Sequence, residues 1–128
     1  MALFPPQDTE RIGEEIRNGS GNVLITFRNS HGPTALEKLW NELMREFGNV
    51  RRCLSWWSGN GNIGLIECDL DDGVSVFGQW ALADQTGLVG IFRVSDEEVR
   101  GIRDGFDAGN VTSAAMRAIR IGESQDRD

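Results

Sequence analysis

Between Val50 and Val94 the chain reads as four strands in a row: Val50–Ser58, Ile63–Leu70, Val74–Ala83 and Leu88–Val94. Short Gly/Asn/Asp turns separate them, residue types that reach the backbone angles of tight turns at small cost. Connections this short make hairpins and exclude helical crossovers, so the stretch predicts an antiparallel meander. Val50, Arg52, Leu54 and Trp56 alternate with Arg51, Cys53, Ser55 and Trp57. Val74, Val76, Trp80 and Leu82 alternate with Ser75, Phe77, Gln79 and Ala81. Neither strand has a clean polar face. A sheet that is apolar on both sides must be covered twice, by helices or by another molecule.

The covering helices lie on either side of this stretch. Ala35, Leu36, Leu39, Trp40, Leu43, Met44 and Phe47 recur at a period near 3.6, with Pro33 suited to the first turn and Gly48 to the C-terminal cap. Before this helix, Val23-Leu24-Ile25-Thr26-Phe27 is an unbroken β-prone run, which predicts a strand buried on both faces, central or parallel to a neighbour. A helix between that run and Val50–Ser58 suggests a βαβ crossover that pairs the two strands in parallel. Residues 1–7 read as a flexible lead with Pro5 and Pro6 extended. A short helix follows, capped by Asp8 and carrying Ile12 and Ile16. Ser95-Asp96-Glu97-Glu98 forms a capping box ahead of Val99, Ile102 and Phe106. A last helix is expected from Asn110 to Gly122, and 123–128 reads as a polar, flexible tail. The whole is one α+β domain with a five-stranded, mostly antiparallel sheet and the element order αβαββββαα.

The chain carries 20 acids against 13 bases, a formal charge of −7. That balance speaks against a nucleic-acid binder, which needs Lys and Arg on phosphates. It suits solubility, or a protein partner with a basic surface. Twelve of the 13 bases are Arg, either a coding bias or a preference for bidentate contacts. No run approaches the ~18 apolar residues of a membrane span. The first residues form no signal peptide, so a cytoplasmic location is expected, with Cys53 and Cys68 as reduced thiols. The two Cys fall mid-strand on adjacent predicted strands, where pairing depends on geometry.

Gly59-Asn60-Gly61-Asn62-Ile63-Gly64 matches G-x-G-x-x-G, but strand rather than helix follows it, so it reads as a hairpin turn. His31 is the sole His and sits beside Gly32-Pro33 in a turn. With no C-x-x-C pair, a structural zinc site is not expected. No cofactor motif is present, and no catalytic residue is singled out. Glu67, Asp69, Asp71 and Asp72 form the densest acidic run, a solvated edge or a patch facing a partner. Its spacing is not that of an EF-hand. Trp56 and Trp57 point to opposite faces of one strand, which makes it hard to bury both in one core.

These features favour a non-enzymatic protein-binding module, of the acidic inhibitor or immunity type. It would use Trp56, Trp57, Glu67, Asp69, Asp71 and Asp72 to mask a basic partner surface. One alternative is a small-molecule or nucleotide-binding domain, or an enzyme, with a pocket between sheet and helices. A homodimer closing the second sheet face is another.

Overall fold

The computed structural model describes residues 4–18, 21–47, 50–71 and 73–107. It is an α+β fold in the order α1 (Pro6–Asn18), β1 (Asn22–Asn29), α2 (Pro33–Phe47), β2 (Val50–Trp57), β3 (Ile63–Leu70), β4 (Ser75–Leu82), β5 (Gly87–Val94) and α3 (Asp96–Asp107). The helix expected over Asn110–Gly122 and the tail after it lie outside the described residues. The five strands form one mixed sheet in the order β2-β3-β4-β1-β5.

This order corrects the expected pairing at two points. The parallel neighbour of β1 is β4, with Val23 opposite Val76 and Phe27 opposite Trp80. It is not β2, which lies at the sheet edge. The meander also stops after three strands: β5 pairs antiparallel with β1, not with β4. Burial explains both. Val23, Leu24 and Ile25 are fully buried and Phe27 nearly so, and such a strand needs neighbours on both sides. Arg51 and Arg52 are exposed on β2, so β2 cannot fill a central place. The β4–β5 connection steps over the end of β1, where Ala83 N donates to Asn29 O at 2.9 Å and Ser30 N donates to Thr86 Oγ1 at 3.0 Å.

The sheet is covered twice, as its two apolar faces require. On one side α1 and α2 close a core that includes Ile12, Ile25, Phe27, Trp40, Met44, Ile66 and Trp80. On the other, Val99 and Ile102 of α3 meet Leu24, Leu65, Phe77, Phe92 and Val94, with Trp56 packed at the margin. Phe4 is buried and sets its ring edge-on to Phe27, 5.4 Å between centroids. Phe4 is therefore part of the core. Helix α1 opens at Pro6 rather than Asp8, since proline's fixed φ and missing N–H suit a first helical turn.

Local signals hold where the chemistry is local. Ser95 and Glu98 complete the capping box: Ser95 N donates to Glu98 Oε1 at 2.9 Å, and Glu98 N to Ser95 Oγ at 3.1 Å. Buried Asn29 accepts from His31 N at 2.7 Å and donates to Gly32 O at 3.2 Å, shaping the turn into α2.

Two strand glycines make room for tryptophan. Gly64 lies directly opposite Trp80, and a Cβ there would fall 2.1 Å from the indole. Gly78 lies under Trp40 and Phe27, whose rings stack at 5.7 Å. Overpacking of this kind costs about 1–3 kcal/mol. Gly64→Ala is expected to lose at least that much stability in urea unfolding. Gly59→Ala, which meets only open space, is expected to stay within about 0.5 kcal/mol of wild type.

Candidate functional site

Strands β2 and β3 carry every residue of the expected patch except the two turn acids, and the structure separates them. On β3, Glu67 and Asp69 face the α3 side of the sheet. Glu67 is 1% exposed. Both its oxygens are held by Arg103 of α3: Nε donates to Oε2 at 3.0 Å, and Nη2 closes the second bond of the fork. Arg52 Nη2 stands 3.8 Å from Glu67 and 2.8 Å from Asp69. Ser75 Oγ donates to the other Asp69 oxygen at 2.8 Å. These two acids therefore spend their lone pairs inside the protein, on a polar seam that ties β2, β3, β4 and α3 together. Asp71 is exposed in the β3–β4 turn, and Asp72 lies outside the described residues.

The tryptophans divide as the strand period demands. Trp56 lies opposite Leu65 and packs, half-buried, under the α3 side. Trp57 lies opposite Gly64 on the other face and is 43% exposed. Trp57 and Asp71 stand at opposite ends of β3, roughly 23 Å apart along a strand rising ~3.3 Å per residue. They do not form one patch.

A different feature lies along the edge of the sheet. Strand β2 is an edge of the sheet. Edge strands in soluble proteins are guarded by charge or by bulges, because their free backbone groups would pair with another chain. The first half of β2 has both guards: Arg51 and Arg52, and a register shift between Val50 and Arg52. The second half has neither. Leu54, 40% exposed, projects on the α3 side, and Trp57 projects on the other. Sequence reasoning missed Leu54. The signal that pointed to it was a strand with no clean alternation, the mark of an edge rather than of a doubly buried strand.

Cys53 and Cys68 form a disulfide across β2 and β3, with their Cα atoms 4.2 Å apart. This corrects the expectation of two reduced thiols. The register places the two residues directly opposite one another, a fact that the turn length alone did not determine. The bond clamps the edge strand at its middle.

The remaining sequence motifs are structural. The Gly59–Gly64 motif spans the β2–β3 hairpin turn and the first residues of β3; in the turn Gly61 takes φ of +72° and Ser58 Oγ accepts from Asn62 N at 3.1 Å. His31 is exposed. Among the described residues no three His, Cys, Asp or Glu side chains converge as metal ligands, and no helix is long and apolar enough to cross a membrane. Compared with known proteins, the chain matches no family model, no characterised protein and no solved structure.

Two expectations follow. Burial pushes the Glu67 carboxyl above its ordinary range, against the pull of Arg103 and Arg52 in the other direction. The folded protein then holds this proton more tightly than the unfolded chain does. The stability that protonated Glu67 contributes is present below the ordinary carboxylate range and is lost as pH rises through the raised value. The melting temperature of wild type relative to Glu67→Gln should therefore fall as pH rises from the ordinary carboxylate range through the raised value, as thermal scans would show. Removing the disulfide by Cys53→Ser with Cys68→Ala should cost on the order of 3 kcal/mol in denaturant unfolding.

Proposed function

We propose that this chain is a non-enzymatic protein-binding module, of the acidic inhibitor or immunity type. It meets its partner through the second half of β2. The observation that carries the reading is the pair Leu54 and Trp57, exposed on an unguarded edge strand. Large aromatic side chains at the centre of an interface supply most of its energy. An edge strand adds main-chain hydrogen bonds through strand addition.

The partner's chemistry follows from charge. A net −7 attracts a basic surface from a distance, and the open face of Trp57 accepts a Lys or Arg in a cation–π contact. Asp71 adds negative charge at the far end of the hairpin pair. Glu67 and Asp69 serve this surface indirectly, by holding β2 and α3 in place. A second copy of the chain is the other occupant such an edge accepts, through antiparallel pairing of two β2 strands.

Capture from the native host's lysate on immobilised protein tests the reading. Wild type is expected to retain a protein of basic pI. Trp57→Ala is expected to weaken that complex about thirty-fold or more at an unchanged melting temperature, and Val89→Ser on the opposite edge to leave it intact. Retention by Trp57→Ala and Leu54→Ser equal to wild type would rule out the β2 edge. Sedimentation of the pure protein at rising concentration identifies the second-copy case.

A further inference from the structure

The guarded half of β2 has a chemistry of its own. Asn41 and Arg45, one helical turn apart on α2, face Val50, Arg51, Arg52 and Cys53 across an open cleft of about 200 Å³. Three of its six lining residues are arginines, in a chain where acids outnumber bases by 20 to 13. Arg52 is committed to Asp69 and Glu67. Arg45 and Arg51 are exposed and, among the described residues, lie within ion-pair distance of no carboxylate. Glu42 and Glu46, their nearest acids in sequence on α2, make no such pair.

The backbone explains why Arg45 and Arg51 line the same cleft. Val50 pairs with Leu70 and Arg52 with Asp69, so two steps on β2 oppose one step on β3 and Arg51 is the extra residue. A bulge takes its residue out of the strand's alternation and re-aims the side chain. The Cys53–Cys68 disulfide holds this point of the edge strand against β3. The last turn of α2 supplies Arg45 from the other wall.

We propose that this cleft is a binding site for the phosphoryl group of a small phosphomonoester. Two uncommitted guanidinium groups match a dianion in charge, and their planar forks match its oxygens in geometry. Asn41 adds an amide donor on the same wall. The cleft is smaller than the ~300–1,000 Å³ of pockets that enclose drug-sized ligands. It takes a phosphoryl group and a few attached atoms, not a whole nucleotide. The site is independent of the Leu54–Trp57 surface.

Titration calorimetry at low ionic strength tests the assignment, with glycerol phosphate and inorganic phosphate as probes and acetate and chloride at matched ionic strength as controls. Both phosphates are expected to bind, the monoester more tightly if its attached atoms use the cleft. Arg45→Ala and Arg51→Ala should each weaken binding about ten-fold or more, and the double variant should abolish it. Arg28→Ala, an exposed Arg outside the cleft, should bind as wild type does. The amide signals of residues 50–53 should shift on titration of the wild type and not of the double variant. Phosphate bound no more tightly than acetate, or bound equally by the double variant, would overturn the proposal.

Discussion

Everything in this fold depends on the burial of β1 on both faces. Val23, Leu24, Ile25 and Phe27 leave water almost completely, and each such side chain is worth about 1.5–3 kcal/mol of transfer free energy. That gain is available only if strands flank β1 on both sides and helices close both faces. The chain meets the requirement by folding β2, β3 and β4 back on themselves, so that β4 arrives beside β1 in parallel. The loop after β4 then steps over β1, and β5 takes the opposite flank. The strand that is first in the chain becomes the one most enclosed in the sheet.

Enclosing β1 leaves β2 outside. Its first half is charged, bulged and disulfide-bonded, which protects an edge from stray pairing. Its second half projects Leu54 and Trp57 instead. Strand and hairpin stability do not require those side chains to be exposed. The two proposals, partner recognition at one end of β2 and anion recognition at the other, rest on this contrast along eight residues.

The polar seam on the α3 side is costly and specific. Glu67 is buried between arginines from two different elements. Desolvation opposes its charge more than the arginines favour it, which is why its carboxyl is shifted upward. Buried ion pairs of this sort contribute little net stability, but a misplaced partner leaves an unpaired charge. Arg103 can satisfy Glu67 only if α3 docks in one position, so the pair sets where α3 lies on the sheet.

Much of this was legible in the sequence because its cause is local. The 3.6 period from Ala35 to Phe47, the capping box at Ser95, the glycine turn at Gly59–Gly64 and the five strands each follow from neighbouring residues. The continuous run Val23–Phe27 also foretold a doubly buried strand. What remained depended on residues far apart in the chain. Strand order was decided by which strands could afford burial on two faces, and the meander's spacing is equally compatible with β5 beside β4. The acidic run could not show that Glu67 and Asp69 point inward, because Arg103 lies 36 residues from Glu67 and only the packing of α3 brings it there. The Cys53–Cys68 bond, likewise, was decided by the β2–β3 register and not by the spacing of the two residues. Among the described residues, sequence alone determined which segments are helix and strand and that both sheet faces must be covered. The tertiary structure decided which strands are enclosed and which lie at the sheet edges, and which acids are spent internally, since burial and ion pairing are settled by neighbours in space.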